Sequence, residues 1–153
     1  LNKLSTPRYQ ASIFLLKKVY KITDENTINL ILYLAERESI KTNFVGIFNE
    51  DIFVSNGIPQ IMYGTSKGTG ASVTASLSIS NISRIMDIVF KFEGRSYEDI
   101  LNTVKLLPEV MKATEDSEIT VKEIIKGFGF PRAETNRRIK EYDIAKSRIL
   151  NNG

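Results

Sequence analysis

The run Leu30-Ile31-Leu32-Tyr33-Leu34-Ala35 constrains this chain more than any other segment. It lies in a helical pattern that opens at Thr23, whose hydroxyl suits the cap position, with Asp24 and Glu25 in the first turn. The pattern continues to about Ser39. Together with Ile28, the run places apolar side chains on more than one helical face. Such a helix belongs at the centre of a core. Six apolar residues fall far short of the roughly 20 needed to cross a bilayer, so the run marks a core helix. With 153 residues, 1–153 form one ordinary domain, large enough to bury about two thirds of its unfolded surface.

Other elements gather around this helix. A first helix is expected from about Arg8 to Tyr20, with Ile13, Leu16, Val19 and Tyr20 at helical spacing. From Asn43 to Ser55 the composition turns to β-formers: Phe44, Val45, Ile47 and Phe48, then Ile52, Phe53 and Val54. Asn49-Glu50-Asp51 between them predicts a small hairpin. Pro59 suits the first turn of a short helix to about Gly64. Residues 64–76 form a flexible Gly/Ser/Thr loop. It lacks the P-loop order, because Lys67 precedes its glycines. The second half is helical. Ser80 caps a helix to Lys91 that Gly94 ends, and Ser96 opens one to Lys105. Pro108 starts a turn to Lys112, Thr120 with Glu123 forms a capping box, and a last helix covers about Arg132 to Leu150. The fold class is mainly α with a small β-hairpin (α+β), a compact single-domain helical bundle.

Chemistry is narrowed by two absences, because the chain contains no His and no Cys. These exclude imidazole bases, thiolate nucleophiles and zinc sites of the usual kind. Catalysis would have to rest on carboxylates, Lys, Tyr, Ser or Thr. Carboxylate groups stand at Glu36/Glu38, Glu50/Asp51 and Glu115 to Glu118; neighbours on a helix do not face one another, and the Glu115–Glu118 run before a capped helix is expected as a solvated loop. No catalytic, cofactor-binding or metal-binding residue is therefore assigned.

Charge is uneven. Residues 1–22 carry five basic groups and no acidic one, while 131–153 carry six basic and three acidic groups around an acidic middle. Lys17, Lys18, Lys21, Arg137, Arg138 and Lys140 are the candidates for nucleic-acid contact, and residues 120–150 have the outline of a helix-turn-helix. Glu134, Glu141 and Asp143 interrupt that last helix, and solvated helix faces explain the same charges. No leader-like stretch opens the sequence, so residence in the cytoplasm is expected.

The order of residues resembles a known family. Asn29 to Ile40 (NLILYLAERESI) resembles the "KLLYFADRESL" helix of the Panacea (SocA-like) antitoxin domain. In that family a Gly, an acidic residue before a short strand, and Gly-Pro-Val follow. Here Gly46, Asp51 before Ile52-Phe53-Val54, and Gly57-Ile58-Pro59 stand in that order. Leu77-Ser78, Ser96 to Leu101 and Ile119 to Gly129 resemble later family segments, so about residues 8–145 are covered. The chain departs from the family at Gly-Ile-Pro and near Lys105 and Val110, where relatives keep His and Trp.

The resemblance implies a divergent, stand-alone protein-binding domain without catalysis or cofactor. It would neutralise a toxin by contact or deliver it to a protease as an adaptor. The alternative is a phage, prophage or plasmid accessory regulator that contacts nucleic acid through its basic ends. The implied partner-binding candidates are Arg37, Phe48, Asp51, Phe53, Gly57, Pro59 and Tyr63. Phe48 and Phe53 have a competing place in the hairpin core, and Gly46, Gly57 and Pro59 a competing task in shaping its turn.

Overall fold

The computed structural model describes residues 7–61 and 77–152. Among them are seven α-helices and one two-stranded antiparallel hairpin, a mainly helical single domain. The helix α1 (Pro7–Phe14) runs on as a π-turn, Leu15–Val19. Then come α2 (Glu25–Asn43), β1 (Ile52–Ser55), β2 (Ile58–Ile61) and α3 (Ile79–Lys91). The chain ends in α4 (Tyr97–Lys105), α5 (Pro108–Lys112), α6 (Val121–Gly127) and α7 (Arg132–Asn152).

Every residue of α2 from Ile28 to Glu36 is buried, which makes it the axis of the molecule. Helices α3, α4 and α6 and strand β2 pack around it. Its cap is Asp24, one residue after the expected Thr23. The Asp24 carboxylate accepts the Thr27 N–H at 2.9 Å and the Thr27 hydroxyl at 2.6 Å. Ser78, not Ser80, caps α3 by accepting the Asn81 N–H. The starts at Ser96, Pro108 and Thr120 fall where the sequence places them, and Thr120 and Glu123 complete the capping box in both directions.

The hairpin is displaced from its expected position. No strand covers 44–48; β1 pairs instead with β2, with Ile52 opposite Ile61 and Ser55 opposite Ile58. Asn56 and Gly57 make the turn with φ of 56° and 74°, the left-handed pair that a two-residue hairpin connection requires. Pro59 is therefore a strand residue and not a helix start. Its partner Val54 directs its own N–H and carbonyl to Ser117 and Asp116 on the other side. The Val54–Pro59 pair is thus one where the hairpin ladder has no bond, and the missing proline N–H leaves nothing unsatisfied.

The segment 44–49 fails as a strand because Glu36 takes its amides. This side chain is 3% exposed. It accepts the N–H groups of Ile47 at 2.6 Å, Phe48 at 3.0 Å and Asn49 at 2.9 Å. Phe44 and Asn49 adopt positive φ to bend the backbone round the carboxylate. A side chain added at Gly46 would collide with the Glu36 carboxyl. Gly46→Ala is expected to lower stability by about 1–3 kcal/mol, seen as a lower urea midpoint at unchanged slope.

Burial raises the Glu36 carboxyl above its ordinary value of 4.5, and the three amide bonds only partly oppose it. The native state therefore keeps this proton at pH values where the unfolded chain has released it. Stability contributed by this group is full below the unfolded value and is lost as pH rises through the native one. In urea melts across that range, the stability of the wild type relative to Glu36→Gln is expected to decline with rising pH.

Candidate functional site

A second buried carboxylate ties the two halves of the chain together. Glu109, the second residue of α5, is 1% exposed. It accepts the Tyr33 hydroxyl at 2.7 Å, and Arg37 reaches it through Nε at 2.6 Å and Nη2 at 3.2 Å. The same Nη2 donates to the Gly127 carbonyl at 3.3 Å, and the guanidinium lies 4.8 Å from the centre of the Phe128 ring. Burial first, and then the Glu109 charge, pushes the Tyr33 phenol well above its usual range. Gly127 has no room for a side chain, because Glu109 occupies that space.

The partner-contact candidates fall in different environments. Arg37 is not an exposed anchor: its side chain is 14% exposed and bound to Glu109. Phe48 is buried edge-on against Tyr9, with ring centres 5.5 Å apart. Pro59 is buried too, and its carbonyl accepts the Asn29 amide at 2.9 Å. Phe53 is half-buried, while Asp51 and Gly57 are exposed. Glu115 accepts the N–H groups of Asn56 and Gly57. It thus holds the hairpin tip while staying exposed to solvent. Tyr63 and the 64–76 loop lie outside the described residues.

The basic candidates are scattered over separate elements. Lys17 lies 3.9 Å from Glu25. Arg137 and Arg138 both hold Glu134 at 2.7 Å, and these bonds keep the Glu134 carboxyl below its usual range. Arg138 also donates to the Lys41 carbonyl and stacks 4.1 Å from the Phe130 ring centre. Both arginines therefore fasten the start of α7. Lys18, Lys21 and Lys140 are exposed.

What the fold does bring together is a groove of about 240 Å³ between the 49–52 segment, the 118–122 segment and α7. Its walls carry Asp51, the one partner candidate placed there, together with Glu118, Asp143 and Tyr142. Tyr142 is 6% exposed. Burial, then the charges of Glu36 and Asp143, push this phenol up to about 12. In the sequence Tyr142 counted only as an apolar position of the last helix. Its spacing from Ile139 and Lys146 is the available signal, since all three line the groove.

No protein-family model matches the chain, and neither a curated protein nor a solved structure matches it. Among the described residues, no helix is long and apolar enough to cross a membrane.

Removing one partner of a buried ion pair costs more than the pair contributes, because the remaining charge stays buried. Glu109→Ala is expected to lose about 3–5 kcal/mol in urea unfolding. Tyr33→Phe, which leaves the ion pair intact, is expected to lose only about 1 kcal/mol.

Proposed function

We propose that this chain is a protein-interaction module of the antitoxin type, a divergent Panacea-like domain. It neutralises a partner toxin by direct binding or presents it to a protease as an adaptor. The observation that carries the reading is the use made of the two buried carboxylates. A carboxylate enzyme would draw its acid and base from such groups. Here Glu36 accepts three backbone amides, and Glu109 holds Tyr33 and Arg37. Both are occupied in holding the fold.

The same bonds explain why the resembling segments occur together. Tyr33, Glu36 and Arg37 all belong to the NLILYLAERESI helix, and Glu36 closes on the loop that follows Gly46. In this reading the shared motif is scaffold, and recognition falls to what the scaffold presents. Asp51, Phe53 and Gly57 remain as contact residues on the hairpin and its approach, beside the acidic groove.

The test is co-expression of the tagged chain with the product of the adjacent gene. A stable complex on affinity and size-exclusion columns is expected, together with relief of the growth arrest that the neighbour causes alone. If the neighbour is neither bound nor neutralised, the antitoxin reading fails.

A further inference from the structure

We propose that Asn56-Gly57 at the hairpin tip is a deamidation site held in check by Glu115, and that its reaction is a one-way change in the surface the tip presents. This goes beyond the interaction-module reading and does not depend on it.

An asparagine followed by glycine is the step at which a chain most readily attacks itself, because glycine places no side chain over its nitrogen. The Gly57 nitrogen loses its proton and bonds to the carbonyl carbon of the Asn56 carboxamide. The bond from that carbon to Nδ2 breaks, and Nδ2 leaves with the proton as ammonia. Water then opens the five-membered imide at either carbonyl, leaving aspartate or isoaspartate at position 56. Both residues are exposed, so water reaches them. A side chain at Gly57 would meet no atom within 4 Å beyond its chain neighbours, so among the described residues nothing crowds that side of the nucleophile.

The native turn does not permit the attack as it stands. Asn56 is left-handed, with φ of 56°, and in that region ψ is about +45°. This sets the Gly57 nitrogen nearly opposite Cβ across the Cα–C bond, whereas ring closure needs the two eclipsed. The peptide between the residues must rotate first. Glu115 opposes that rotation, because Oε1 accepts the Asn56 N–H at 2.6 Å and Oε2 accepts the Gly57 N–H at 3.2 Å. Turning the peptide carries the Gly57 N–H away from the carboxylate and breaks a charge-assisted bond. The reaction therefore runs through a locally opened tip, at a rate set by how often Glu115 lets go.

The product cannot be latched again in the same way. Either form carries a new carboxylate on the residue whose N–H Glu115 accepted, and like charges repel. Isoaspartate also routes the chain through its side chain, adding a methylene for which a two-residue connection has no place. Asp116 and Ser117 keep their bonds to Val54, so the change stays at the tip.

The test follows the full chain at mildly alkaline pH by peptide mapping. Trypsin releases residues 42–67 as one peptide, in which Asn43 and Asn49, followed by Phe44 and Glu50, serve as internal references. Deamidation is expected at Asn56 alone among the three, with aspartate and isoaspartate forms separated by chromatography. The chain unfolded in guanidinium gives the unlatched rate, and the native protein is expected to react about fivefold or more slowly. Glu115→Ala should recover most of that difference. Gly46→Ala, which weakens the fold elsewhere, should leave the native rate unchanged. In the isolated product, the Gly57 amide resonance should move to the position it has in Glu115→Ala. No reaction at Asn56 even in guanidinium overturns the site. Equal native and unfolded rates, an unchanged rate in Glu115→Ala, or equal acceleration by Gly46→Ala overturns the latch. A product whose Gly57 resonance keeps its wild-type position overturns the release. The co-expression result stands or falls separately from all of these.

Discussion

A carboxylate sealed inside a protein must be surrounded by donors, and Glu36 finds three in consecutive backbone N–H groups. Much of the architecture follows from that capture. The chain leaving α2 cannot extend into a strand while its amides turn inward. It bends through left-handed residues, needs a glycine at position 46, and enters β1 only at Ile52. The turn also buries Phe48 against Tyr9, which ties α1 to the same loop. One side chain of the central helix thus sets the course of the following fifteen or so residues.

Glu109 does for the second half what Glu36 does for the first. Its partners Tyr33 and Arg37 lie 76 and 72 residues earlier in the chain, and Arg37 continues to the end of α6 through the Gly127 carbonyl. The central helix therefore presents two polar fasteners, Glu36 and the Tyr33–Arg37 pair, among its buried apolar side chains. Apolar packing alone permits small slides between helices. A buried pair with directional bonds does not, and it fixes α5 and α6 on α2 in one arrangement.

Signals with a local cause are legible in the sequence to within a residue or two, as the caps at Asp24 and Ser78 beside the expected Thr23 and Ser80 show. Ser96, Pro108 and Thr120 start helices because capping acts over three or four residues. The central place of α2 was visible because burial on every face leaves its mark on composition. The misplaced hairpin has a non-local cause. Phe44 to Phe48 have the side chains of a strand, but a carboxylate eight or more residues upstream claims the backbone. The turn is written in the sequence as Asn56-Gly57, a strong short hairpin signal that follows a longer run of β-formers. Arg37 and Tyr142 were harder still. Nothing near Arg37 announces Glu109, and a tyrosine on an apolar stripe gives no sign that it lines a groove.

The segment 116–119 runs beside β1 without being part of the hairpin. It takes the Val54 N–H and carbonyl and the Ile52 carbonyl, while Phe53 and Ser55 face Gln60 and Ile58 of β2. Many peptide-binding proteins capture their targets by letting an extended chain zip onto an open sheet edge. On the β1 side that route is closed, since the chain's own loop already occupies it. Whatever docks there must be recognised by side-chain shape and charge, which permits discrimination between partners that a backbone ladder, common to all sequences, would not give.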